Sequence, residues 1–239
     1  MLKIWDSTNF RRTLGGLCLI LAPVLFAINE ITYPGGGGSG ADQLATAARN
    51  HDLMLADIYI GIASAILFIP AVMTLLHITR RRGVVLGHVA GVLSVAGIGL
   101  AGLALSGLQL MLWAMAGPGV DRQAMATFID QVQHNPAGLP LVMGHDLFAL
   151  GLILFGVAVW RSGFGYRWAG PAVGFGIVLD IVGGSIGLPD MAISVISDAI
   201  FVTALAAIGL RVLLTPDAQW LAAEQVDTKR ATSVVPARA

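Results

Sequence analysis

The chain has 239 residues, of which 56% are hydrophobic and only 12% are charged, whereas soluble domains carry about 25% charged residues. That composition excludes an ordinary soluble enzyme. The 14 basic residues balance the 14 acidic residues, so no net charge points to a nucleic acid, and none is predicted as a partner. Because Cys18 is the one cysteine, an internal disulfide and a CxxC motif are also excluded. Composition therefore predicts an integral membrane protein.

Six apolar stretches approach or exceed the ~20 residues that a helix needs to cross a bilayer. In chain order they are residues 13–33, 53–79, 84–116, 139–160, 168–188 and 191–213. The third is longer than one crossing requires, so it should tilt, overhang or break at a glycine. The sequence therefore predicts an all-α, polytopic bundle of about six transmembrane helices over residues 13–213. Residues 1–12 precede the bundle, and the polar residues 214–239 are predicted to form a disordered tail.

Basic residues are distributed unevenly between the two sides of these spans. One side carries twelve of the 14 Lys and Arg residues, and the other carries only Arg49 and Arg122. Because cytoplasmic loops retain positive charge, both termini of this multi-pass protein are predicted to lie in the cytoplasm, with the bundle in the cell membrane. The sequence GGGGSG at 35–40 predicts a flexible link in the first outer loop.

Five acidic residues occur in the predicted spans, each on a different helix. A charged side chain at the centre of a transmembrane helix costs ~2.5–3.5 kcal/mol, so each needs a partner or a wet cavity. A rise of ~1.5 Å per residue from the cytoplasmic ends places all five in the outer half of the bilayer. His145 adjoins one of them, and no multi-histidine pattern predicts a metal site. The candidate catalytic residues are Glu30, His145, Asp146, Asp180 and Asp198.

Aromatic and neutral polar side chains occur in the same outer layer. Together with the acids they predict an outward-opening pocket between the helices. Its candidate substrate-binding residues are Asn29, Asp57, Tyr59, Gln109, Trp113, Phe148 and Phe201. Other roles remain open for some of them: Asp57 also suits the first turn of a helix, and Tyr59 and Trp113 also suit an interfacial aromatic belt. The alternative role for Asp146, Asp180 and Asp198 is structural pairing with polar side chains or backbone groups.

A carboxyl that stays neutral at pH 7 can protonate an alkene or an epoxide, and aromatic faces can stabilise the resulting cation. In length, in helix number and in buried acids such as Glu30, Asp146 and Asp198, the chain resembles the small integral-membrane terpene cyclases of bacterial and fungal meroterpenoid pathways. The resemblance implies acid-initiated cyclisation of a lipophilic isoprenoid, taken from the surrounding membrane lipids, without a cofactor.

Two alternatives belong to other classes of protein. Intramembrane acids are also typical of proton- or cation-coupled carriers of small molecules, and a carrier with only six helices would imply a homodimer. The acids could instead bind a metal or a partner helix in a non-catalytic subunit or sensor.

Overall fold

The computed structural model describes residues 6–34, 38–80, 82–133, 135–183 and 190–221, and most of these residues are helical and none lies in a β-strand. The prediction of an all-α fold is confirmed. A π-helical segment, Ile98–Ala104, joins α4 to α5, and a 3₁₀ turn, Pro136–Gly138, precedes α7. The α-helices are α1 (Ser7–Thr32), α2 (Gly40–Arg49), α3 (His51–Thr79), α4 (Val84–Gly97), α5 (Leu105–Met115), α6 (Arg122–Gln133), α7 (Leu139–Ser162), α8 (Ala169–Gly183) and α9 (Asp190–Leu214).

Five helical stretches in the described residues are long and apolar enough to cross a membrane. Large apolar side chains point outward from them: Met73, Val92 and Ile196 are 61%, 71% and 54% exposed. An apolar surface of this extent suits lipid rather than water. A polytopic membrane bundle is therefore confirmed, and five of the six predicted spans correspond to these stretches. They are Ser7–Thr32, His51–Thr79, Val84–Met115, Met143–Ser162 and Ala192–Leu214.

Helix α8 covers nearly all of the described part of the predicted span at 168–188. It is a largely apolar helix of 15 residues that includes Asp180, and its length is about 22 Å, whereas the hydrocarbon core of a bilayer is ~30 Å thick. Residues 184–189, which include the end of this predicted span, lie outside the described residues. Helix α8 packs against both α7 and α9, so it belongs to the bundle.

The long predicted span at 84–116 neither breaks nor ends at its glycines. Instead, α4 runs through the π-helical segment into α5. A π-helical turn contains more residues than an α-helical turn, and such turns are frequent at functional sites. Here Ile98, Ala101 and Gly102 line a cavity described below.

The bundle core forms where α1 packs against α3 and α9, and where α4 and α8 pack against α7. In lipid this packing depends on van der Waals contact rather than on exclusion of water. The helix backbones come closest to one another at glycines, which have no side chain. A Cβ atom on Gly156 would lie 2.5 Å from the carbonyl oxygen of Gly170, and one on Gly97 would lie 2.5 Å from the backbone nitrogen of Phe148. The backbones of α8 and α4 therefore both touch α7.

Gly156→Ala is expected to lower the free energy of unfolding by about 1–3 kcal/mol, because the added methyl group forces α7 away from α8. Gly107→Ala is the matched control, since a Cβ atom on Gly107 would meet no atom within 4 Å and alanine favours the helix by up to ~1 kcal/mol. Thermal unfolding in detergent measures both. Equal unfolding temperatures for the two variants would contradict the close contact between α7 and α8.

Helices α2 and α6 form a cap at one end of the bundle. Ser39 and Asp42 form a capping box at the start of α2, and hydrogen bonds from Ser39 lower the pKa of the Asp42 carboxyl. The backbone N–H of Gly40 donates to Oδ1 of Asp130 on α6 at 2.6 Å. The end of the predicted GGGGSG link therefore starts a packed helix, while residues 35–37 lie outside the described residues.

The opposite end, which we call the basic end, holds the chain that follows α9. Asp217 Oδ1 lies 3.1 Å from Arg12 Nη2. Trp220 is only 6% exposed, and its ring stacks on His77 with the ring centroids 4.0 Å apart. Residues 217–221 are helical, whereas the sequence predicted a disordered tail from 214. The difference arises because ion pairing and ring stacking join this polar segment to α1 and α3; residues 222–239 lie outside the described residues.

Candidate functional site

Four titratable side chains from four helices line two adjoining cavities between the helices. We call these residues, Glu30 of α1, His145 of α7, Asp180 of α8 and Asp198 of α9, the acid layer. The first acid cavity has a volume of about 140 Å³ and includes Glu30 and His145 in its lining. The second has a volume of about 40 Å³ and includes His145, Asp180 and Asp198. The structure therefore brings together four of the five candidate catalytic residues.

A group of four phenylalanines packs beside the acid layer. We call Phe26, Phe68, Phe148 and Phe201 the phenylalanine layer. The rings of Phe68 and Phe148 are edge-to-face with centroids 5.0 Å apart, and Phe26 lies edge-to-face with Phe201 at 6.2 Å. Phe26 and Phe148 line both acid cavities, so the two cavities share an aromatic wall.

The two layers follow from residue spacing along the helices. Residues three or four positions apart lie on the same face of a helix, and each phenylalanine stands at this distance from a polar residue of the same cavity. The pairs are Glu30 with Phe26, Ser64 with Phe68, His145 with Phe148, and Asp198 with Phe201. In each pair the phenylalanine lies one turn closer to the basic end. The sequence analysis included Phe148 and Phe201 but missed Phe26 and Phe68, which this spacing could have indicated.

The two aspartates of the second cavity have different surroundings. Ser197 Oγ donates a hydrogen bond to Asp180 Oδ1 at 3.2 Å. Asp198 Oδ2 is buried and has no hydrogen-bond partner among the residues that the structure describes. Asp198 also interacts electrostatically with Asp180 and with Glu30. A buried carboxyl oxygen without a partner is uncommon in proteins, and none of the described residues competes with a ligand for this oxygen.

Several neutral polar side chains line the first cavity. Asn29 and Gln109, both predicted to bind substrate, belong to its lining, as do Ser64 and Ser106. Gln109 and Tyr33 also line a further cavity, between α5 and the cap. These neutral groups can orient a polar atom of a ligand without adding charge.

Asp57, predicted to bind substrate, lines neither acid cavity. Its side chain is buried, with an exposed fraction of 1%. Asn29 Nδ2 donates to Asp57 Oδ2 at 2.8 Å, and Thr32 Oγ1 donates to Asp57 Oδ1 at 2.6 Å. Both carboxyl oxygens are therefore occupied in joining α3 to α1. The burial also excludes the alternative of an exposed residue at a helix start, because α3 begins at His51, two turns earlier.

Three other candidates lie away from the two acid cavities. Asp146 is exposed, as are Glu30, His145 and Asp180, but it lines neither cavity, because one residue along a helix turns the side chain by about 100° from His145. Tyr59 is 62% exposed on the bundle surface. Trp113 Nε1 donates to the carbonyl oxygen of His51 at 3.1 Å, and the two rings lie 4.5 Å apart. Trp113 thus joins α5 to the start of α3.

No group of three or more His, Cys, Asp or Glu residues that could hold a metal ion occurs in the part of the chain that the structure describes. Comparison of the chain with protein-family models, with curated proteins and with solved structures gives no match. The acid layer and the phenylalanine layer therefore provide the basis for assigning a function.

Proposed function

We propose that the protein is a membrane enzyme that starts the cyclisation of a lipid-dissolved isoprenoid by protonating it. One observation carries the proposal: carboxyls from three helices line two adjoining cavities that share a wall of phenylalanine rings. Acid-initiated cyclisation needs a proton donor, a wall that tolerates a carbocation, and a base that removes a proton at the end. The two layers provide all three groups within one part of the bundle.

Asp198 is the proposed proton donor. Its buried Oδ2 has no hydrogen-bond partner among the described residues, and its carboxyl interacts with those of Glu30 and Asp180. Three carboxyls this close repel one another when all are ionised, which supports a proton shared within the layer. Protonated Asp198 would give its proton to an alkene carbon or an epoxide oxygen of the substrate.

The charge then passes to carbon and moves as an intramolecular alkene attacks and closes a ring. Phe148 and Phe201 line the same cavity as Asp198, and their faces can stabilise the cation. Loss of a proton from carbon to the carboxylate of Asp180 or Glu30 ends the reaction. The product is an isomer of the substrate, and a proton transfer among the carboxyls restores Asp198.

The cavity volumes limit which part of the substrate reacts there. At about 140 and 40 Å³, the acid cavities are smaller than the ~300–1,000 Å³ typical of sites that enclose a whole ligand. We infer that they receive the reactive end of a longer molecule.

The test is conversion of farnesol and its terminal epoxide by the purified full chain in lipid nanodiscs, with a metal chelator present. In deuterated water, the cyclised product of farnesol is expected to gain deuterium on the carbon that is protonated first, because carboxyl protons exchange with water. The epoxide tests conversion alone, since deuterium on its hydroxyl oxygen exchanges during isolation. Strict dependence on an added metal, or a cyclised farnesol product without deuterium, would contradict acid initiation by this layer.

A proton-coupled carrier is the second candidate, and a further cavity favours it. This basic-end cavity has a volume of about 360 Å³ and is lined by His77, Ser162, Arg211 and Trp220, among others. It lies on the other side of the phenylalanine layer from the acid cavities, as the outer and inner vestibules of a carrier would. Uptake of a small molecule into proteoliposomes, driven by a pH gradient and lost in Asp180→Asn, would favour the carrier over the enzyme.

A further inference from the structure

A fourth cavity, which we call the cap chamber, lies between α5 and the cap. Its volume is about 350 Å³, within the range of ligand sites in proteins. Hydrocarbon side chains of α5 and α6 dominate its wall, and Tyr33, Gln43 and Gln109 are its polar members. The apolar lining residues are Leu105, Leu108, Met111, Leu112, Met115, Phe128, Ile129 and Val132.

The chamber adjoins the first acid cavity. Leu105 and Gln109 belong to the lining of both. On α5 these residues continue into Leu108, Leu112 and Met115 at spacings of three and four, so one face of the helix runs along both cavities. A molecule that lies along this face reaches from the apolar chamber, past the Gln109 amide, to Glu30 and His145.

The composition of the chamber indicates an apolar and flexible ligand. Met111 and Met115 are unbranched side chains that adapt to irregular hydrocarbon shapes. On the α6 side, Phe128 and Val132 are 45% and 39% exposed although they belong to an amphipathic helix. In the described residues, no charged side chain lines this chamber.

We propose that the cap chamber binds the hydrocarbon chain of the substrate while its reactive end enters the acid cavities. This inference rests on the proposed function for the identity of the reactive end. In this proposal α5 and α6 select the substrate, because the chamber determines which length of hydrocarbon chain fits. The Gln109 amide lies between that hydrocarbon chain and the acid layer.

The experiment is photolabelling of the full chain in lipid nanodiscs with a farnesol analogue that carries a diazirine on its chain, followed by mass spectrometry of peptides. Labels are expected on α5 and α6, at Met111, Met115 and Phe128. Leu112→Trp places an indole inside the chamber and should reduce this labelling. Leu108→Trp tests the same point at a side chain that is 37% exposed and therefore has more room.

Val92→Trp is the matched control, because Val92 is 71% exposed on α4 and an indole there should leave the labelling unchanged. Labels spread evenly over lipid-facing residues such as Met73 and Phe175, or labelling that persists when both chamber positions carry tryptophan, would overturn the proposal. The Asp198→Asn variant should be labelled in the same way as the original chain, because Asp198 does not line the cap chamber. If the original chain is labelled in the chamber but converts no substrate, the proposed reaction is rejected and the proposed binding of the hydrocarbon chain is retained.

Discussion

Asp198→Asn is expected to lower the turnover of an isoprenoid substrate by about 10²–10⁴-fold, the usual contribution of a general acid. The amide has nearly the shape of the carboxyl but cannot supply the initiating proton. Because Asp198 Oδ2 makes no hydrogen bond to the described residues, the substitution breaks no bond at that atom. The unfolding temperature in detergent should therefore stay the same while the product, measured by gas chromatography, disappears.

Asp146→Asn provides the matched control for this prediction. Asp146 is also an aspartate in the outer part of a bundle helix, but it is exposed and lines neither acid cavity. Its amide variant is expected to keep full turnover. If Asp146→Asn and Asp198→Asn lost activity equally, the proposal that catalysis depends on the carboxyls lining the acid cavities would be wrong. A lower unfolding temperature in Asp198→Asn alone would assign Asp198 to structural pairing.

Phe68→Ala is expected to cause the largest loss of stability, about 3–5 kcal/mol on the scale of buried phenylalanines. Phe68 is 3% exposed and its ring contacts those of Phe26, Phe148 and Phe201. Its removal leaves a cavity at the centre of the phenylalanine layer. The other rings then lose the contacts that fix their positions beside the acids.

Phe175→Ala serves as the control, because Phe175 is 59% exposed on the surface of α8. Its removal should change the unfolding temperature little, since it mainly exchanges contact with lipid. Chemical unfolding in mixed micelles can compare the two variants directly. Similar losses in both would show that the four rings do not form a cooperative core.

The sequence allowed prediction of the fold class and of the outer layer in which the acidic residues lie, but not of which side chains line a cavity there. Glu30, Asp180 and Asp198 reach the cavities, whereas Asp57 has the same chemistry and is used to join α1 to α3. Apolar composition around a helix sets its depth but not its rotation, because lipid and core are equally apolar. The difference between His145 and Asp146 is only one step of about 100°.

The cap could not be predicted from the length of apolar segments. Helices α2 and α6 have 10 and 12 residues, too few for a span, so a search for ~20-residue stretches assigns them to loops. Their positions depend on contacts distant in sequence, such as the hydrogen bond from Gly40 to Asp130. The pair Ser39 and Asp42, which forms a capping box, is the local sequence feature that could have indicated the start of α2.

The π-helical segment Ile98–Ala104 gives the long helix an uneven tolerance to changes in chain length. In an ordinary α-helix, deletion of one residue turns everything beyond it by about 100°. Inside a π-helical turn, the same deletion can be absorbed by a return to α-helical winding, so α5 would keep the face that carries Leu105 and Gln109. Single-residue deletions should therefore preserve the bundle within this segment and misalign α4 against α5 when they fall elsewhere between Val84 and Met115.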